Sequence, residues 1–167
     1  VTPRGEKRDG GEGSESQAKE HCLRLLTARN YTSAELGAKL AARGFEADVA
    51  NRAIARLTEV GLVDDHAYAA MFVRTRHEVA RRGRRAIAVE LKRKGISEDD
   101  VAEAVSQVSD DAERDAAIGL VRKSMRGAGE PADAAERSKQ MRRALGMLAR
   151  RGFDAGLAID VVRSEFG

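Results

Sequence analysis

The chain has 167 residues, a formal net charge of +3, 42% hydrophobic but only 4% aromatic residues and no Trp. This length accommodates one domain or a row of small ones with a real core, and a core so poor in aromatics must be built from Leu, Val, Ile and Ala, which suits helices better than a β-sandwich. No apolar run approaches the ~20 residues that span a bilayer, no signal-like apolar stretch opens the chain, and the lone Cys22 excludes an intramolecular disulfide or a cysteine-based metal site, which fits a reducing, cytoplasmic compartment.

In chain order, residues 1–17, VTPRGEKRDGGEGSESQ, are rich in Gly and charge and offer almost nothing to bury, which predicts a disordered tail. Ala18, Cys22, Leu25 and Leu26 then form an apolar helical stripe, and Thr32-x-x-Glu35 is a capping box that starts the next helix. That helix carries Leu36 and Leu40 and ends at Arg43-Gly44-Phe45; a third follows with Ala50, Ala53, Ile54 and Leu57 on one face. Asp64 and Asp65 open a second set of three. Its stripes are Tyr68, Ala69, Phe72, Val73 and Val79, then Ile87 and Leu91 before Lys94-Gly95-Ile96, then Val101, Ala104, Val105 and Val108 behind a Ser97/Asp100 start. A third set holds Ala117, Leu120, Val121 and Met125, then Ala144 and Leu148 before Arg151-Gly152-Phe153. It closes with Ala158, Val161 and Val162, with Glu165 where the earlier copies are apolar and Phe166 taking that place one residue on.

The basic-Gly-apolar tripeptides are spaced by 51 and 57 residues, and their flanking stripes repeat in register. The fold class is therefore all-α: a tail at 1–17, then trihelical, helix-turn-helix-like repeats at 18–63, 64–109 and 110–167. In each, Gly supplies the left-handed residue that ends the middle helix. The six-residue difference in spacing falls on the Gly/Pro-containing loop Arg126–Ala132. Units this small bury little alone and are expected to stack in tandem into an elongated or curved body.

No catalytic constellation emerges. His21 and Cys22 are adjacent and point about 100° apart on a helix, so they cannot share a metal. The aspartates beside His66 are explained by helix capping. Glu98, Asp99 and Asp100 occupy a first helical turn, where carboxylates favour the dipole, and they lack the loop spacing of a calcium site. Neither a metal, nor a cofactor, nor catalytic residues are expected, and Cys22 on the apolar stripe reads as a buried structural thiol. Phe45, Phe153, Tyr68, Phe72 and Phe166 fall on core positions; only Tyr31 is available for base stacking, so that mode of single-strand binding is not expected.

The charge is segregated. Arg74–Lys94 holds nine Lys/Arg against two Asp/Glu, and Ser97–Asp115 holds eight Asp/Glu against one Arg. With Ile87 and Leu91 turned inward, Arg74, Arg81, Arg82, Arg84, Arg85, Lys92, Arg93 and Lys94 are left for solvent or an anionic partner, and Gly83 is expected to bring the two helices together so that the charge gathers at one corner. A sequence-specific DNA reader needs its cations on the last helix of the trihelical unit. In the second unit that helix, SEDDVAEAVSQV, is acidic, so only a sequence-independent, phosphate-tracking contact with DNA survives.

Two stretches carry a family resemblance. GLVDDHAYAAMFVRTR (Gly61–Arg76) and GRRAIAVELKRKGI (Gly83–Ile96) resemble the patterns G-L-[LIV]-[DN]-D…[FY]-A…[FWY]-[VIA]-x-x-R and G-x-x-x-[IL]-x-x-E-L-x-x-K-G-[IV] of the RecX family, regulatory proteins of the RecA recombinase. The likeness runs from about Ala18 to the C-terminus, is most specific in the second repeat and departs most in the third, with its longer loop and Ala144. It implies a non-enzymatic modulator that binds RecA and the RecA–DNA nucleoprotein filament, in its groove or at its ends, and restrains ATPase, strand exchange and coprotease activity in DNA repair, recombination and the SOS response. A direct, sequence-independent DNA-binding protein is the alternative, and no membrane partner is implied. The eight basic residues above are contact candidates by charge and exposure, while Tyr68, Phe72, Gly83, Ile87, Leu91 and Gly95 serve folding.

Overall fold

The computed structural model describes residues 10–167, and every regular element among them is a helix: α1 (Gly10–Leu26), α2 (Ser33–Ala42), α3 (Ala47–Glu59), α4 (Asp65–Glu78), α5 (Arg84–Arg93), α6 (Glu98–Ser106), α7 (Asp110–Ala128), α8 (Ala134–Arg150) and α9 (Ala155–Phe166). They follow one another as three tandem three-helix repeats, as the stripes predict. The chain divides into two compact units, Val1–Tyr68 and Ala69–Gly167, the division falling inside α4.

In the first unit, α1, α2 and α3 close around Ala18, Cys22, Leu36, Leu40, Ala50, Ala53 and Leu57, with Leu25, Leu26, Phe45 and Ile54 partly buried against them. Each fully buried Leu contributes roughly 1.5–3 kcal/mol. The start of α2 is the predicted capping box: Thr32 Oγ1 accepts from Glu35 N at 3.1 Å, and Glu35 Oε2 accepts from Thr32 N at 3.1 Å. Asp65 Oδ1 accepts from Ser33 N at 2.8 Å, while Asp64 caps α4 through Ala67 N. Cys22 is fully buried and burial pushes its thiol up from the ordinary value, the environment of an inert cysteine.

Residues 1–9 of the predicted tail lie outside the described residues, and 10–17 differ from the expectation: they are the opening turns of α1. Apolar content misleads there because these turns extend a helix that Ala18 and Cys22 anchor in the core, with Glu15 adding ion pairs to Lys19 at 3.7 Å and to Arg52 of α3 at 3.4 Å.

In the second unit, Val73, Ile87, Leu91, Ile96, Val101, Ala104 and Val108 are buried along α4, α5 and α6. The last three helices close around Ala117, Val121, Ala144, Leu148, Phe153, Ala158, Val161, Val162 and Phe166. Phe166 fills the place that Glu165 vacates, and Glu165 instead pairs with Arg122 at 2.7 Å. Two expectations are corrected. Val79 is 79% exposed and not on the stripe, because α4 ends at Glu78 and the chain then turns through Arg81 at φ 50°. The extra length of the third repeat is not loop: α8 has 17 residues where α2 and α5 have 10 each, and residues 129–133 make a connection no longer than 79–83. Asp133 caps the added turns through Glu136 N at 2.8 Å, and the buried Gln140 donates to Gly129 O at 3.3 Å, holding α8 to the end of α7.

Each middle helix ends in the same closure. Phe45, Ile96 and Phe153 donate their N–H to Leu40 O, Leu91 O and Leu148 O at 3.2, 3.2 and 3.1 Å, around glycines at φ 86°, 79° and 83°. This is the Schellman arrangement, with the apolar residue folded back on the last turn.

Gly83 is a different case. Its φ of −74° is open to any residue, yet a Cβ there would lie 2.4 Å from Gly152 O and 2.6 Å from Phe153 N. Gly152 is constrained in return, its Cβ position lying 2.3 Å from both Cβ and N of Ala86. The second and third repeats thus meet backbone to backbone. Gly83 N–H donates to Arg151 O at 2.8 Å and Arg85 N–H to Gly152 O at 3.2 Å, so N–H groups that α5 leaves unpaired at its start are satisfied by the turn after α8.

Gly83→Ala therefore has nothing to fear from its own backbone and everything from its neighbour. It is expected to destabilise the protein by about 2 kcal/mol, in the range of overpacking. Gly44→Ala, with open space around it but a left-handed φ, is expected to cost about 1 kcal/mol. Urea unfolding of both variants checks the order; a Gly83→Ala protein no weaker than Gly44→Ala removes the close approach as a constraint.

Candidate functional site

The eight predicted contact residues do not gather at one corner. Helical rotation along α5 and the reversal at 79–83 distribute them over several environments. Arg84 is turned between repeats. Its Nε donates to Glu113 Oε2 at 2.5 Å, its Nη2 to Asp110 Oδ1 at 2.6 Å and its Nη1 to Val108 O at 3.4 Å, while its own N–H donates to Glu113 Oε1 at 2.8 Å. Glu113 is 2% exposed. Partial burial alone would lower the Arg84 pKa, but the hydrogen bonds it donates to the Asp110 and Glu113 carboxylates, and their negative charge, outweigh it and raise it. Arg84 is thus a clamp that ties the start of α5 to α7.

Arg85 pairs with Asp154, whose Oδ1 caps α9 through Gly156 N at 2.8 Å and Leu157 N at 3.2 Å. The amides of Leu157 and Gly156, with Arg85 in addition, hold the Asp154 carboxyl below its usual range. Arg82 lies 3.5 Å from Glu90, which it shares with Arg76 at 3.0 Å. Lys92 binds Glu98 at 2.8 Å and lowers the pKa of that carboxyl. Lys94 stands with its Nζ 5.8 Å from the centre of the Phe72 ring. Arg74, Arg81 and Arg93 are exposed and have no carboxylate partner among the described residues.

Two depressions take up these side chains. Arg74 and Arg81 line one of about 510 Å³, together with Glu78 and Asp115. Arg82, Arg85 and Arg93 line another of about 890 Å³, where they are joined by Arg150 from the end of α8. Sequence reasoning missed Arg150 and Glu113. The chain is again positive from Arg122 to Arg151, but nothing local says which of those cations faces α5; nor does anything in the sequence mark Glu113 as the partner of a residue 29 positions away. Arg151, beside the third Gly turn, is also committed: its Nη1 donates to Ala80 O at 2.9 Å.

Tyr31 is half-buried, with the Arg29 guanidinium 3.7 Å from its ring centre. Among the described residues no group of His, Cys, Asp and Glu is placed to hold a metal, and no helix is long and apolar enough to cross a membrane.

These features define a class: a tandem three-helix-repeat protein with two arginine-lined depressions on its second and third repeats. Residues 18–57 match the model of the RecX first three-helix domain and residues 64–105 that of the second. The chain is 45% identical over 157 residues to regulatory protein RecX of Mycobacterium sp. (strain JLS), covering 94% of this chain and 86% of that one. It is 44% identical over 163 residues to regulatory protein RecX of Mycolicibacterium smegmatis, covering 98% and 87%. The crystal structure of RecX from Lactobacillus salivarius shares the fold at a TM-score of 0.80 and 20% identity, covering 91% of this chain and 96% of that one. A further crystal structure of regulatory protein RecX does so at 0.78 and 23%, covering 96% and 80%. The chain belongs to the RecX family of regulatory proteins.

Separating the clamp from the free cations has a direct check. Arg84→Ala leaves Glu113 buried without its guanidinium and is expected to cost about 2 kcal/mol, whereas Arg93→Ala is expected to change stability by less than about 0.5 kcal/mol. Equal unfolding curves for the two variants would remove Arg84 from the fold's support.

Proposed function

We propose that this protein is a non-enzymatic modulator of a RecA recombinase: it binds the RecA–DNA nucleoprotein filament in the cytoplasm and restrains ATPase, strand-exchange and coprotease activity during DNA repair and the SOS response. The observation that carries this reading is the near full-length likeness to relatives named regulatory protein RecX. The physical features support it. The repeats 18–63, 64–109 and 110–167 give a body of several small units, and uncommitted guanidinium groups at Arg74, Arg81 and Arg93 offer charge to phosphate or to carboxylates. Arg82, Arg85, Lys92 and Lys94 stay in the contact set as exchangeable cations, since surface pairs of this kind are worth little on their own and a polyanion displaces them readily. Arg84 contributes through the fold.

The second reading, direct sequence-independent binding of DNA, is favoured by the same free arginines. Titrating the full chain onto free single-stranded DNA, free RecA and the assembled filament separates the two. Tighter binding to the filament than to bare DNA is the expected result; equal affinity for both supports the second reading and overturns the first. If phosphate is the contact, the logarithm of affinity falls against the logarithm of salt concentration with a slope of roughly 0.7–0.9 per phosphate engaged, and a flat response assigns the contact to protein.

Reversal of Arg74, Arg81 and Arg93 to Glu is expected to weaken inhibition of RecA ATPase at least about tenfold, equivalent to 1.4 kcal/mol, with helicity and melting unchanged. Undiminished inhibition by that triple variant would take these residues out of the mechanism.

A further inference from the structure

The groove of about 890 Å³ in the second unit is lined by α5, the end of α8 and the start of α9. Its floor is apolar. Val89 and Ile159, both on its lining, are 48% and 40% exposed, and Leu145 and Ala149 lie on the same lining. Large apolar side chains exposed singly are ordinary on any surface. Here two of them, from helices 70 residues apart in sequence, face one depression, at the place where Gly83 and Gly152 draw the two repeats together.

The rim carries charge of one dominant sign. Arg82, Arg85, Arg93 and Arg150 stand against one lining carboxylate, Glu90, and Glu90 is shared with Arg76. Asp154 spends one oxygen on the start of α9, leaving the other for Arg85. Arg93 and Arg150 have no carboxylate partner among the described residues.

A nucleic-acid backbone meets only half of this surface. It satisfies the arginines but brings nothing apolar to cover Val89 and Ile159, so the floor stays wet. A protein segment with apolar side chains on one face and carboxylates beside them meets both halves: covering the floor gains about 25 cal/mol per Å² of apolar area removed from water, and the rim sets orientation and excludes basic segments. The volume falls within the range of sites that enclose a drug-sized ligand, room for a few side chains and not for a domain. That is the helix-in-groove mode, read as anchors at i, i+4 and i+7.

We propose that this groove docks an acidic amphipathic segment of a partner protein, its apolar residues on Val89, Leu145 and Ile159 and its carboxylates on Arg93 and Arg150. The proposal does not rest on the identity of the filament partner, because the groove selects the chemistry of a segment whatever protein carries it.

The test uses the full chain and a labelled designed helical peptide of about 16 residues, roughly four turns, with Leu at i, i+4 and i+7 and Glu on the remaining faces. A second peptide carries Lys in place of Glu, and an oligothymidylate serves as the nucleic-acid probe. Fluorescence anisotropy is expected to give a dissociation constant in the range of about 10–100 μM for the Glu peptide, or roughly 5.5–7 kcal/mol, and at least tenfold weaker binding of the Lys peptide. Val89→Ser combined with Ile159→Ser, both at exposed positions, is expected to weaken the Glu peptide about tenfold, or 1.4 kcal/mol, without altering melting or oligothymidylate binding. Arg93→Glu with Arg150→Glu is expected to weaken it as much. Equal binding of both peptides, no binding of the Glu peptide at about 1 mM (some 4 kcal/mol), or loss of oligothymidylate binding in the serine pair would each overturn the proposal, the last by making nucleic acid the occupant.

Discussion

The contact between Gly83 and Gly152 is the constraint on which the arrangement of the second unit depends. Each lacks a Cβ where one would overlap the opposite backbone, at 2.4 Å in one direction and 2.3 Å in the other. The approach lets main-chain carbonyls of the turn after α8 accept the first N–H groups of α5, work that a Ser or Asp side chain does at most helix starts. Glu113 completes it by accepting from Arg84 N at 2.8 Å. A helix whose N-terminus is satisfied by another repeat cannot move independently of that repeat. The groove beside the contact, lined by Val89 from α5 and Ile159 from α9, is a product of the same approach.

The second consequence concerns charge. A run of seven cations with one carboxylate between Ala80 and Gly95 looks uniform in the sequence and is not uniform in the fold. Arg84 is drawn to a buried carboxylate, Arg85 and Lys92 meet the capping residue of α9 and the first turn of α6, and Arg82 shares Glu90. The acidic segment that follows the basic run supplies several of these partners: Glu98, Asp110 and Glu113 all lie between residues 97 and 115. Segregation of charge along the chain thus becomes pairing between elements, and the cations left over without a carboxylate partner among the described residues are Arg74, Arg81 and Arg93. For a family of regulators this division matters, since the residues that hold the body together and those that can meet an anionic partner are of one type and stand side by side.

Much of the fold was legible because helices announce themselves locally. The stripes Leu36/Leu40, Ile87/Leu91 and Ala144/Leu148, the capping box at Thr32 and the recurrent basic-Gly-apolar turn each depend on residues within about one or two turns of one another, and the structure has them where the pattern puts them. The misreadings have physical reasons of their own. Residues 10–17 looked too polar to be ordered, yet Glu15 reaches Arg52 on another helix. The added length before Gly152 looked like loop, yet a cap at Asp133 and a buried Gln140 make it helix. Val79 continued a stripe that its helix does not continue. Contacts beyond the local window, Glu15 with Arg52 and Gln140 with Gly129, support the first two outcomes, and the point at which α4 stops decides the third.

By itself the sequence determined the helical class, the three tandem repeats and the positions at which the middle helices stop, because periodicity, capping and the left-handed preference of glycine act over a few residues. Tertiary structure alone decided which basic residues are clamps and which are free, that Gly83 is required by a neighbour and not by its own φ of −74°, and that Arg150, Val89 and Ile159 share one groove. Those outcomes depend on which backbone approaches which across about 70 residues of chain, and no local pattern encodes that distance.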